Sequence, residues 1–295
     1  MAYFISDRQH LAAGKERTKY EPWIVVNKGC RYTPAQISYG HPLYVSVCSV
    51  GIVECLTDYP LTHPILPDGC ISIVFYGRGI LDHGMLCGAT DRIKKLILMP
   101  GYQYLFFKFM PGATASFVDC EISAVTDGSV DVCAGVKNGS RLLSIAEKDL
   151  SVMEKALLMS RVLRVAKADK ETDYIIRYCI ERIQSCDGSV TVSELAFESG
   201  FSERYLGKVF EKHIGISPKT YAEIIKIQNS LHILFEGDPH NSLLDIALDS
   251  GYFDHAHMNR NYNKFLSCPA GTLRKEGFSA IDYNKVDPYI SNIQY

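Results

Sequence analysis

The sequence predicts an α+β protein: a β-rich barrel or sandwich at the N-terminus, a helical connector, and an all-α C-terminal domain holding two like helix-turn-helix units. Three observations carry this. From about Trp23 to Val136 the chain is rich in Val, Ile, Tyr, Phe and Gly and is punctuated by turn signals. From Ser140 the apolar residues change to a helical spacing of three and four. Then two stretches, 51 residues apart, repeat one pattern: Val192, Leu195, Ala196, Ser199, Gly200 and Phe201 answer to Leu243, Ile246, Ala247, Ser250, Gly251 and Tyr252.

The expected divisions are 1–139 for a β-rich sensor or dimerisation domain, 140–172 for the connector, 173–280 for the paired helical units and 281–295 for a tail. In the first, Cys70–Phe75 and Tyr104–Phe109 have the length and residue types of strands. Turns are marked by Pro67-Asp68-Gly69, by Tyr76 to Gly79 and by Met110-Pro111-Gly112. The connector carries Leu142, Leu143, Ile145, Ala146, Leu150 and Met153, then Ala156, Leu157, Met159 and Leu163, which fits two helices with charged outer faces. Such helices are expected to pair with their copies in a second subunit. A third helix runs from Asp173 to Ser185.

The repeated pattern has a steric reason. Ala196 and Ala247 leave room for a crossing helix, while Gly200 and Gly251 take the positive φ that a tight interhelical turn needs. Thr191 with Glu194 three residues on spells a capping box, and Ser202 is a good N-cap for the second helix of the pair. That helix buries Leu206, Val209 and Phe210 and turns Glu203, Arg204, Gly207 and Lys208 outward. Gly215 to Pro218 stops it. Pro218 then opens a long helix to about Phe235, a rod of roughly 27 Å. Since a turn of B-DNA is about 34 Å, the rod suits two reading helices set into successive major grooves.

These residues resemble the AraC/XylS family of bacterial transcription regulators, over about Asp173 to Lys275. Ser193–Ala196, Ser199–Ser202, Gly215–Pro218, Asp249–Tyr252 and Asp254–His257 carry the resemblance. Leu66–Cys70 and Phe107–Ala113 resemble the N-terminal domain of one subgroup of that family. The resemblance implies a cytoplasmic, sequence-specific DNA-binding regulator whose N-terminal domain senses a small molecule, dimerises, or both. The second unit departs from the family pattern, because Phe265–Pro269 has no Gly in the turn before its Pro.

The DNA-contacting residues expected are Ser202, Glu203, Arg204 and Lys208 in the first unit and His255, Asn259 and Arg260 in the second. His257 is expected to pack or cap. Charge works against easy binding: Tyr174 to Ala280 holds eleven Lys and Arg against thirteen Asp and Glu, a net of −2. The positive charge must then gather in a stripe, for which Lys208, Lys212, Lys226, Arg260, Lys264, Arg274 and Lys275 are available. Candidate partners are double-stranded DNA, a small-molecule effector, a second copy of the chain in a homodimer, and RNA polymerase, with no membrane.

Catalytic chemistry finds no support. There is no nucleophile elbow, P-loop or dinucleotide fingerprint, and no cofactor is expected. His41, His63 and His83 with Cys70 or Cys87 lack any metal-ligand spacing. The ten cysteines are scattered, with no C-x-x-C pair, and read mostly as reduced, buried small hydrophobes, Cys70 being the thiol to test for redox sensing. Residues 1–19 carry charge and no apolar core of signal-peptide length. The rival reading is a β-barrel binding protein or enzyme whose C-terminal units no longer bind DNA competently.

Overall fold

The computed structural model describes residues 3–5, 20, 22–114, 116–163 and 170–290. The expectations for the charged N-terminal segment, for 164–169 of the connector and for the end of the tail fall outside the described residues. The strands, in chain order, are β1 (Tyr3–Ile5), β2 (Ile24–Val26), β3 (Cys30–Pro34), β4 (Val47–Cys55), β5 (Leu61–Ile65), β6 (Ile71–Gly77), β7 (His83–Cys87), β8 (Lys94–Leu98), β9 (Gln103–Phe109) and β10 (Ser129–Asp131). Six form one antiparallel sheet in the order β10-β7-β6-β9-β4-β3, while β5 pairs with β8 and β1 with β2. The large sheet is open at both edges, so of the two architectures expected for this half it is the layered one, not a closed barrel.

Period-two alternation sorts the side chains of this sheet between two cores. Ile71, Ile73 and Phe75 of β6, with Leu105, Phe107 and Phe109 of β9, point to one face. Val74 and Tyr76, with Tyr104 and Phe106, point to the other. The first face is covered by helices α1 (Val132–Gly135), α2 (Gly139–Ala146) and α3 (Val152–Leu163), whose Leu142, Ile145, Ala156 and Met159 complete its core. The helices expected as a connector thus lie on the sheet, and most of their apolar residues pack there, while Leu157 stays exposed. The second face is covered by the two-stranded β5–β8 sheet and by Tyr289 and Ile290, which return from the far end of the chain.

Beyond α4 (Lys170–Ser185), helices α5 (Val192–Ser199) and α6 (Glu203–His213) form the first unit. The long α7 (Pro218–Glu236) follows, and α8 (Leu243–Asp249) with α9 (His255–Leu266) forms the second. A last helix, α10 (Ala270–Glu276), packs against α9. The capping box at Thr191 and Glu194 is present, with a second at Ser242 and Asp245. Gly200 and Gly251 both have positive φ, 75° and 76°. Every cysteine is free, and half of them, Cys55, Cys70, Cys87, Cys179 and Cys268, are buried, fewer than the sequence suggested. No helix among the described residues is long and apolar enough to cross a membrane.

Candidate nucleic-acid interface

Helix α6 begins where a hydroxyl can stand in for the missing turn: Ser202 is extended, and its Oγ accepts from the Tyr205 amide at 3.2 Å. Leu206, Val209 and Phe210 enter the core, which fixes the rotation of the helix. That rotation leaves Ser202, Glu203, Arg204, Lys208 and Lys212 exposed. Arg204, Lys208 and Lys212 succeed one another at four-residue spacing, so three cations line one outer stripe. Among the described residues no salt bridge ties any of them.

Helix α9 is capped by Asp254, whose Oδ1 accepts from the His257 amide. Arg260 is exposed. His255 and Asn259 are half-buried and engage each other, the Asn259 Nδ2 donating to His255 Nε2 at 2.9 Å. Asn259 Oδ1 in turn accepts from the Ala270 amide at 3.0 Å and so holds the start of α10. Each end of this amide is engaged inside the domain. His257 stands edge-on to the buried Tyr252 ring, with centroids 5.3 Å apart, and is a packing residue. The helix ends at Ser267, which takes the left-handed conformation, φ 54°, where the family pattern has Gly.

The remaining cations of the expected stripe divide. Lys226 Nζ donates to the Gly251 carbonyl at 2.9 Å and braces the second turn. Lys264 pairs with Glu223 at 2.6 Å, and Arg274 donates to the carbonyls of Asn241 and Pro239. Lys208, Lys212, Arg260 and Lys275 stay exposed. Of the exposed cations, Arg204, Lys208 and Lys212 thus stand together on α6.

Hydrogen bonds tie the helix-turn-helix domain to the N-terminal half. Thr126 Oγ1 donates to the Gly215 carbonyl just past α6, at 2.9 Å. The Ile93 amide donates to the Phe265 carbonyl in α9, at 2.6 Å. Between them the buried Gln228 of α7 donates to the Pro67 carbonyl and accepts from the Trp23 amide, both at 2.7 Å. Next to Pro67, Gly69 lies so close to the Tyr221 ring of α7 that a Cβ there would stand 2.5 Å from it. Neither Gln228 nor Trp23 carries a motif, and only their burial across the joint shows this role.

Residues 195–276 match the family described as a helix-turn-helix domain, and residues 44–131 match a domain of unknown function, DUF6597. The transcriptional regulatory protein HptR of Staphylococcus aureus is 30% identical over 95 residues, covering 32% of this chain and 36% of that one. The chain thus spans about a third of the length of the curated relatives it matches. Among solved structures, ToxT of Vibrio cholerae O395 aligns with a TM-score of 0.41 at 11% identity, over 88% of this chain and all of that one. ToxT of that strain bound to (E)-4-(8-methylnaphthalen-1-yl)but-3-enoic acid gives 0.42 at 11%, over 86% of this chain. The chain carries a C-terminal helix-turn-helix domain of the AraC type behind an N-terminal domain of the DUF6597 family.

Proposed function

We propose that this protein is a sequence-specific DNA-binding transcriptional regulator, acting as a homodimer and controlled through its N-terminal domain by a small molecule. The observation that carries the reading is the stripe of Arg204, Lys208 and Lys212 on a helix whose other face is locked into the core and whose N-terminus is capped by Ser202. Arg204 at the helix start suits bidentate pairing with a guanine edge, and Lys208 and Lys212 suit phosphate. Glu203 beside them rejects misplaced phosphate and contributes to selectivity. In the second unit Arg260 contacts phosphate, while His255 and Asn259 set the shape of α9 through their mutual bond.

Dimerisation supports this function energetically. A net of −2 over Tyr174 to Ala280 permits only moderate affinity per copy, and linking two copies turns two modest sites into one tighter event. The test is competition binding of the full chain to the duplex upstream of its own coding region, against unrelated duplex at the same salt. Specific binding at least 10³-fold tighter than non-specific is expected. Equal affinity for both duplexes overturns the reading in favour of a small-molecule-binding protein or enzyme without a competent DNA interface.

A further inference from the structure

A cavity of about 90 Å³ lies between the second face of the large sheet and the two-stranded β5–β8 sheet. Its walls are mostly apolar, with Val53, Val74, Leu96 and Phe106 prominent among them, and its polar groups are His63, Asp68, Ser72, Thr90 and Lys108. Two features set it apart from a packing defect. The His63 ring is buried, and its Nδ1 has no hydrogen-bond partner among the described residues. Such a group costs about 1–3 kcal/mol when left unsatisfied, so the site has an unused polar handle. The second feature is the wall formed by Tyr289 and Ile290, which belong to the segment after α10.

That segment is built as a strap. The Lys95 amide donates to the Asp287 carbonyl at 3.0 Å, the Tyr289 amide to the Lys95 carbonyl at 2.8 Å, and the Tyr289 hydroxyl to the Gly88 carbonyl at 2.6 Å. The buried Lys94 ammonium lies 3.6 Å from Asp127 and 3.7 Å from Asp287. Its chain neighbour Ile93 is bonded to α9, and Leu66 and Asp68 of the cavity wall flank Pro67, which is bonded to α7. Residues next to one another in the chain therefore line the cavity, hold the strap and bond to the helical domain.

The charges define the ligand. Lys108 and Asp68 pair with each other, and the second Asp68 oxygen accepts from the Cys70 amide at 2.8 Å, so this polar end is balanced before any ligand arrives. An ion entering an apolar cavity would be uncompensated, at a cost of several kcal/mol. Burial and the nearby Lys108 hold the His63 pKa down at about 4, so at neutral pH the ring is uncharged and offers one donor and one acceptor. A hydroxyl answers either. The volume is below the ~150 Å³ that accommodates benzene, which limits the ligand to a few heavy atoms.

We infer that this cavity binds a small, uncharged, largely apolar molecule bearing a hydroxyl that pairs with His63, and that the Asp287–Ile290 strap reads its occupancy. The inference deepens the effector-control reading above and rests on it for its biological meaning, but its test needs no DNA.

The probe is 1-butanol, with butyrate as its charged counterpart, titrated into the full chain carrying ¹⁵N-labelled histidine. The His63 ring nitrogens are expected to shift saturably with 1-butanol, half-saturating in the millimolar range, and to stay still with butyrate. Hydrogen exchange at the Tyr289 amide is expected to slow at least threefold when the site is full. His63→Leu should abolish the saturable effect of 1-butanol on the strap. Val74→Phe, which fills the cavity and leaves the imidazole in place, should abolish both responses and keeps the test valid if His63→Leu does not fold. Absence of saturation, an equal response to butyrate, or a response that survives Val74→Phe overturns the site. Saturation with unchanged Tyr289 exchange overturns the role of the strap. Failure of DNA binding in the competition assay leaves these outcomes intact, so the two proposals fail separately.

Discussion

At the scale of single residues, the polar cluster under the sheet was the least visible in the sequence. Lys108 follows Phe106 on the side of β9 that meets the second core, where alternation alone calls for an apolar residue. It is tolerated because Asp68 arrives from the turn before β6, a pairing across 40 residues that no sequence pattern announces. Lys108→Met alone should cost about 3–5 kcal/mol, since it strands a buried carboxylate. Adding Asp68→Asn should recover much of that loss, which a double-mutant cycle in urea would measure. His63 has a pH signature. Its folded pKa of about 4 lies below the ordinary value near 6.5, so its contribution to stability is complete above 6.5 and is lost as pH falls toward 4. The loss amounts to roughly 3 kcal/mol, and His63→Leu should flatten that part of the acid limb in denaturation curves.

At the scale of elements, most of the reader domain was legible because local rules act in it unopposed. The capping box at Thr191, the Ser202 cap, Pro218 at the start of α7 and the glycine turns all follow from chemistry within a few residues. The two turns are nonetheless not equivalent. A Cβ at Gly200 meets open space, whereas one at Gly251 would stand 2.3 Å from Ser189 Oγ. Gly200→Ala should therefore cost about 1–2 kcal/mol, from the left-handed backbone alone, and Gly251→Ala distinctly more. Thermal melting of the two variants checks the order. The expected connector shows the reverse case: its helical period was plain, but whether its apolar face meets a second subunit or its own sheet depends on partners distant in sequence. Ile145 and Met159 lie against that sheet. Likewise Asn259, expected on the outer face of α9, is drawn inward by the amide of Ala270, a first-turn donor of α10 that its Oδ1 accepts from.

At the scale of the whole molecule, the two halves share one apolar core in which Trp23, Leu66 and Ile93 join the helices α4 to α10. The hydrogen bonds of Thr126, Ile93 and Gln228 involve the turn after α6, α9 and α7 in turn, so a shift in the sheet domain has a physical route to both helix-turn-helix units. Composition gave no sign of this joint. It did show the weak overall charge of the reader domain, and the fold answers by leaving Arg204, Lys208 and Lys212 on one face while Lys226, Lys264 and Arg274 are used internally. The central claim is that this face lies along a duplex. Its most direct test is the salt dependence of DNA affinity for the full chain and for the Arg204→Ala, Lys208→Ala double variant. If both cations meet phosphate or the base edge beside it, the double variant should bind weaker by tenfold or more, and the slope of log K against log salt should fall in magnitude by about 1–2. An unchanged affinity with an unchanged slope would contradict the account.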